Sequence, residues 1–458
     1  MSHLEPNLDS LASINSDGSR NFIYPADVHG TFSLIRRILA WFLLGLFFIL
    51  PWIPINGNPA VFLDIFGREF HILGWTFSPQ DFWLAFFVLT GFGVSLIAVT
   101  SVLGRVWCGW TCPHTLALDH IYRVIERLIE GPAVERRQLA KAHWTPEKTI
   151  KRVAKHALFV LISIALTYTF LSYFQSVGGL AERLLDPLDN VGTVLACLFF
   201  TGLLYFDFGW FREQFCIILC PYGRIQSALI DDNSIIIAYD KNRGEPRGKA
   251  TDPHAGACVD CHRCVQVCPT GIDIRQGLQM ECIGCANCID ACNEVMTKLH
   301  RPLDLVSYTS LTALNGGKAR IIRPRTILYL VLLLIGLCVA TFHISSYQTA
   351  SVSISRPPGP PFFVSEGQVR NQFLLRIVNK ENATRTFHIQ IHCSNPALKD
   401  INSDEAITID PWQEELRPVI LVMDESSFKN QVTVKIIARS DDGRTEVSRD
   451  VSFLGPEN

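Results

Sequence analysis

Eight of the fifteen cysteines in this 458-residue chain fall within one short stretch. They form two copies of C-x2-C-x2-C-x3-C: Cys258, Cys261, Cys264 and Cys268, then Cys282, Cys285, Cys288 and Cys292. Thiolates are ligands for soft metals, and three of them this close can grip three irons of one cubane while the fourth reaches elsewhere. Zinc sites rarely use this doubled triplet. The spacing therefore favours iron–sulfur chemistry, the transfer of single electrons. Pro269 follows Cys268, whereas Asn293 follows Cys292, so a different local turn is expected after the second run.

Two further pairs share the pattern C-x3-C-P. Cys108 and Cys112 lie in Trp107-Cys-Gly-Trp-Thr-Cys-Pro-His114, and Cys216 and Cys220 lie in Phe215-Cys-Ile-Ile-Leu-Cys-Pro-Tyr222. A spacing of four puts two side chains on one face of a helical turn, and the proline favours a turn or a fresh helix start. A polar aromatic follows each proline. The motifs read as an internal repeat, with the pairs side by side across a pseudo-twofold axis. Four such thiols could hold copper, zinc or a third cluster, or cycle to a disulfide. His114 reads as a polar anchor and stays outside the ligand set. Cys197 and Cys338 read as packing residues. His156 and His343 lack the matched partners a haem would need.

The doubled run resembles the bacterial two-cluster ferredoxins. That resemblance implies crossed ligation: Cys258, Cys261, Cys264 and Cys292 for one [4Fe–4S] cluster, and Cys282, Cys285, Cys288 and Cys268 for the other.

The elements that position these residues belong to a membrane protein. The chain is 48% hydrophobic and 18% charged, and its formal charge of −2 gives no sign of a nucleic-acid partner. Five apolar runs are long enough to span a bilayer, near Ile35–Ile53, Phe82–Leu103, Ala157–Tyr173, Val191–Trp210 and Thr326–His343. Lysine and arginine collect in cytoplasmic loops. Ten lie in Arg105–Lys155, against one each in Pro54–Asp81 (Arg68) and Ser176–Asp189 (Arg183). Arg36 and Arg37 are expected at the cytoplasmic lip of the first span. This bias puts the N-terminus and the cluster segment in the cytoplasm and the C-terminal tail outside. Iron–sulfur ligation, which needs reduced thiols, asks for the same orientation. The polar start lacks an apolar signal core, so the first span is expected to act as an uncleaved insertion signal.

The tail changes character after about Ser345. Arg356-Pro-Pro-Gly-Pro-Pro361 reads as a stiff connector. Beyond it Phe387, Ile389, Ile391 and Cys393 alternate with polar residues, as do Val432, Val434 and Ile436, and Val447, Val451 and Phe453 mark a last strand. Turns are expected at Asn379–Asn382 and Asp441–Gly443. The pattern suggests an immunoglobulin-like β-sandwich without its usual cysteine pair, suited to docking.

Taken together, these features resemble the cytochrome c oxidase accessory proteins of the CcoG/FixG/RdxA family. The fold expected is a polytopic α-helical membrane protein with five spans, an inserted two-[4Fe–4S] ferredoxin-like segment and a C-terminal immunoglobulin-like β-sandwich. The expected divisions are a polar segment 1–34, a four-span bundle 35–211 with its basic loop 105–155, a cluster segment 212–325, a fifth helix 326–345 and a periplasmic domain 346–458. The resemblance implies a cupric reductase of the bacterial inner membrane that serves assembly of a cbb3-type oxidase. Copper is its substrate, and Cys108, Cys112, Cys216 and Cys220 become candidates for handling it. The implied partners are a cytoplasmic electron donor, a copper-transporting ATPase and oxidase subunits, and a homo-oligomer is compatible. The competing reading is a membrane polyferredoxin conduit or a non-enzymatic assembly factor.

Overall fold

The computed structural model describes residues 21–456, apart from 56–57, 66–68, 78–81, 346–349, 380–382, 394, 402–405, 412, 429–431, 442 and 444–445. Most of the polar N-terminal segment and the turn residues at 380–382 and 442 lie outside the described residues. The chain forms two compact units, Met1–Cys338 and Val339–Asn458.

Five helices are long and apolar enough to cross a membrane: Thr31–Trp52, Phe86–Leu103, Pro146–Ser172, Val191–Phe211 and Pro324–Phe342. Large apolar side chains such as Phe42, Leu198, Phe199 and Leu334 stand exposed on them, as lipid-facing positions require. Cys338 is exposed on the fifth. The third helix starts well before Ala157. Thr145 caps it by accepting a bond from the Lys148 amide at 3.2 Å, and Pro146 fits its first position. The following basic turns stay helical because Lys155 lies 2.9 Å from Glu130 and 3.7 Å from Glu126.

Glu126 is the hub of a buried ion network. Arg212 reaches it at 2.6 Å and Arg136 at 3.5 Å, which joins the basic loop to the ends of the third and fourth spans. Arg123 lies 3.2 Å from Glu213 and also donates to the Pro269 carbonyl at 2.9 Å. The basic loop thus grips the cluster segment directly, beside Cys268.

Two other contacts seat that segment. The helix Asn287–Lys298 carries Asp290, whose carboxylate accepts from the Ser33 amide at 2.6 Å and the Phe32 amide at 3.3 Å. A negative group thereby caps the positive start of the first span. A Cβ on Gly30 would come within 2.2 Å of that carboxylate. Arg36 turns into the protein: its side chain is 5% exposed, and its Nε donates to the Gly109 carbonyl at 2.6 Å. Strands Ile236–Tyr239 and Val306–Thr309 pair antiparallel and close the segment at its base.

The C-terminal unit packs two sheets around one core that includes Phe373, Leu375, Phe387, Leu421, Val434, Ile436 and Phe453. One sheet runs Ile407–Ile409, Arg385–Cys393, Val432–Ser440, Glu446–Phe453. The other runs Lys399–Asp400, Glu414–Asp424, Gln368–Asn379, Ala350–Ser355, with Phe363–Ser365 also on Gln368–Asn379. The faces expected for Phe387, Ile389, Val434 and Ile436 are buried. Ala350–Ser355 is part of a sheet, so the proline-rich run after it is a loop within the domain and not its tether. Arg356 holds that loop by donating to the Pro361 carbonyl at 3.0 Å.

Candidate electron-transfer and metal site

The two ferredoxin-like runs share a backbone conformation as well as a spacing. Asp260 and His262 flank Cys261 with φ of 51° and 55°, and Gly284 and Ala286 flank Cys285 with φ of 69° and 64°. Left-handed residues at matching positions turn backbone amides toward a common concavity, the geometry of anion-binding nests at iron–sulfur sites. A short helix follows each: Arg263–Gln266 carries Cys264, and Asn287–Lys298 carries Cys288 and Cys292. After Cys268 the chain turns at Pro269. After Cys292 the helix continues, as the missing proline allows, and the Asn293 side chain clasps Asp304 at 3.0 and 2.9 Å.

The eight thiols lie close enough to influence one another, within and between the two runs; Cys288 feels Cys264 as well as Cys268. Cys264 feels Cys292 and Cys261, and Cys292 feels Cys258 and Cys261. Cys282, Cys285 and Cys288 all feel Cys268. Burial first, then these neighbours, pushes Cys264 and Cys285 up to about 12 and Cys282 and Cys292 up to about 11. Such thiols stay protonated at neutral pH until a metal displaces the proton.

The residues present fit iron–sulfur clusters. Cys264, Cys268, Cys282, Cys285 and Cys288 line a small pocket with Ile237, Ile272, Ile274 and Ile283, an apolar shell of the kind that shields a cluster. Among the described residues, no three His, Cys, Asp or Glu side chains are placed to hold a single ion.

The C-x3-C-P motifs also repeat in detail. Cys108 lies in the helix Val106–Trp110, and Cys216 lies in the π-helical turn Phe215–Leu219. In each, the second cysteine is extended, with φ, ψ of −61°, 122° at Cys112 and −67°, 112° at Cys220, and a new helix starts at the proline. The expected fresh start is present. The two cysteines of a pair do not, however, share one continuous helical face, because the chain breaks at the second. Amides of Cys112 and Cys220 each donate five residues back, to Trp107 at 3.0 Å and Phe215 at 2.8 Å.

Burial raises the Cys216 thiol, and its neighbours Cys112, Cys108 and Cys220 raise it further. The residues after the prolines exchange partners. Tyr222 packs on Cys108, and the His114 Nδ1 lies 3.5 Å from the Cys216 Sγ. His114 is not a peripheral anchor; its side chain is 9% exposed.

This group abuts the second cluster loop. Cys108 packs with Ile283 and Cys285, and a Cβ on Gly109 would sit 2.8 Å from the Cys285 amide nitrogen. Arg105 spans the junction. Its Nε donates to Gln226 Oε1 at 2.8 Å, the same oxygen that accepts from Cys108 at 3.2 Å, and it also donates to the Met280 carbonyl. Its charge favours the thiolates of Cys108, Cys216 and Cys282. Arg105 was legible only as a basic loop residue, and Gln226 and Asp290 carried no signal in the spacing.

Comparison with known proteins bears on this arrangement. Residues 211–311 match the 4Fe-4S dicluster domain, residues 84–132 a 4Fe-4S binding domain, and residues 340–456 the IG-like fold at the C-terminus of FixG. The protein RdxA of Cereibacter sphaeroides is 35% identical over 388 residues, covering 81% of this chain and 82% of its own. The chain belongs to the FixG/RdxA family. The nitrogen fixation protein FixG of Rhizobium meliloti is 34% identical, covering 81% of this chain and 79% of its own. The ferredoxin-type protein NapH of Haemophilus influenzae is 27% identical, over 47% of this chain and 70% of its own. The crystal structure of a FixG-related protein from Vibrio parahaemolyticus aligns with 24% of this chain and 97% of its own, at 16% identity and a TM-score of 0.22. This FixG/RdxA family member is a membrane iron–sulfur electron-transfer protein.

Proposed function

We propose that the chain is a metal-ion oxidoreductase that reduces Cu(II) to Cu(I), in the service of cbb3-type oxidase assembly in a bacterial inner membrane. One observation carries the reading: Cys108 packs directly against Ile283 and Cys285 of the second cluster loop, and Cys112 and Cys216 are its thiol neighbours. Clusters bound at the eight ferredoxin-like cysteines supply electrons one at a time, and Cu(II) needs one. Cys108, Cys112, Cys216 and Cys220 hold the copper, and thiolate favours Cu(I) over Cu(II). Arg105 favours the deprotonated ligands. The charge bias of the loops supports a cytoplasmic N-terminus and cluster segment and a periplasmic sandwich. A cytoplasmic one-electron donor feeds the clusters, and a copper-transporting ATPase and oxidase subunits receive the product.

The test is anaerobic. The protein in detergent is reduced, Cu(II) is added, and a Cu(I)-specific chelator is followed alongside cluster absorbance. Cu(I) should appear in step with cluster oxidation and be lost when Cys108→Ser and Cys216→Ser are combined. Copper reduction surviving both substitutions would remove the assigned site.

A second reading has its own support. The 4Fe-4S binding match at 84–132 contains Cys108 and Cys112 and no other cysteine. The four thiols would then hold a third cluster, as in a polyferredoxin conduit. Iron analysis separates the two, since a third cluster adds four irons per chain that the double substitution removes.

A further inference from the structure

The four-cysteine site has a neighbour of a different chemical kind. The His114 ring is held on three sides. Phe215 stacks on it with centroids 4.6 Å apart at 17°, and Phe208 stacks with centroids 5.2 Å apart at 26°. The third restraint is Asp207, whose Oδ2 lies 3.1 Å from His114 Nε2, with side chains 14% and 9% exposed respectively. The contact is an ion-pair distance and not a formed hydrogen bond, since Nε2 is buried without a hydrogen-bond partner. A ligand taken up at Nδ1 would place the ring proton on Nε2, where the carboxylate can accept it. The other ring nitrogen, Nδ1, faces Cys216 Sγ at 3.5 Å, within hydrogen-bond reach of the thiol.

This separation is informative. A sulfur about 2.3 Å and an imidazole nitrogen about 2.0 Å from one tetrahedral ion are about 3.5 Å apart. The carboxylate–histidine–metal arrangement also matches the usual support of a histidine ligand, in which the outer carboxylate fixes the tautomer and the ring direction. Both aromatic clamps and Asp207 come from the last turns of the fourth span and the start of the second motif. Asp207 and Phe208 begin a π-helical turn, Asp207–Phe211, and such turns often occur at functional sites.

We propose that His114 Nδ1 is a ligand to the copper ion at the four-cysteine site, sharing it with Cys216, and that Asp207 is the positioning residue for that imidazole. The inference rests on the copper reading above. It gives the site a mixed sulfur–nitrogen character. Cu(I) accepts low coordination, so the His114–Cys216 pair serves as the anchor and the remaining thiols complete the shell.

The experiment adds Cu(I) alone, anaerobically, to the full-length, cluster-loaded protein in detergent. Copper-edge X-ray absorption reads the ligands, and competition with a Cu(I) chelator reads affinity. The wild type should show sulfur plus one imidazole, with its outer-ring scattering. His114→Gln should lose the imidazole and weaken binding at least tenfold, with Asp207→Asn weakening it in the same direction by about tenfold. His114→Cys, which restores a donor, should recover affinity without the imidazole signature. Variants are compared only at wild-type cluster absorbance, which separates ligand loss from misfolding. A sulfur-only shell that ignores His114→Gln would overturn the ligand and leave the copper site standing. Copper binding that ignores Cys108→Ser with Cys216→Ser, or four extra irons in place of copper, would overturn both.

Discussion

At the residue scale, function depends on side chains whose ordinary preferences are overridden by burial. Protonated thiols wait for metal, and Asp119 is held ionised against its burial by Arg36 and Arg123. His120 goes the other way: burial prevails over the attraction of Asp119, Arg36 and Arg37 add to it, and the imidazole is taken down to about 4. An unfolded histidine titrates near 6.5, so between these values the unfolded chain binds the extra proton. The stability His120 contributes is complete above pH 6.5 and is lost as pH falls toward 4. By pH 5 the loss should be about 2 kcal/mol. Thermal unfolding between pH 7 and 5 should show it, and His120→Gln should flatten that part of the profile. An unchanged pH slope in the variant would assign the acid sensitivity elsewhere.

At the element scale, the site exists because separate pieces are clamped together. Three ties matter most: Asp290 capping the first span, Arg123 on the Pro269 carbonyl, and the Glu126 hub among Arg136, Lys155 and Arg212. The last is the most exacting. Arg212 and Lys155 side chains are 2% and 5% exposed, so removing their partner strands buried charge. Glu126→Ala should cost about 3–5 kcal/mol. A lowered melting temperature and loss of cluster absorbance on mild heating would register it. Stability within about 0.5 kcal/mol of wild type would show that water or other carboxylates carry the hub. The elements themselves were partly legible. Both fresh helix starts follow from Cys-Pro, and the repeat of cysteine spacing reappears as paired left-handed residues. The early start of the third helix was hidden, because its first turns are basic and only partners distant in sequence neutralise them. Strands Gln368–Asn379 and Glu414–Asp424 were hidden as well. Their burial alternates, but charged residues such as Arg370, Arg376, Glu414 and Arg417 interrupt the apolar pattern.

At the scale of the whole molecule, each unit has its own core. The sandwich packs around Phe373, Phe387 and Phe453, and the cluster segment around Ile237, Ile289 and Leu305. A chain ending at Ser345 should therefore keep its cluster absorbance and its copper reduction. The cut belongs there and not at Pro361, since Ala350–Ser355 is a strand of the sandwich. Loss of cluster absorbance in the truncated protein would show that the C-terminal unit supports the N-terminal one. Loss of oxidase assembly with copper reduction intact would separate docking from chemistry.

The sequence by itself determined the chemistry and the class of fold. Thiolate spacing is local, and a run of apolar residues long enough to span a bilayer is a property of the run alone. The crossing of the two cluster sets was available only through a resemblance. Tertiary structure decided what lies beside the thiols. Arg36 turns inward to Gly109, Arg105 bridges Cys108 to the second cluster loop, and His114 is held between two phenylalanines with Asp207 behind it. None of these follows from spacing. Each partner lies far along the chain, and its role comes from shared burial, where a charge or lone pair must find a counterpart because water cannot supply one.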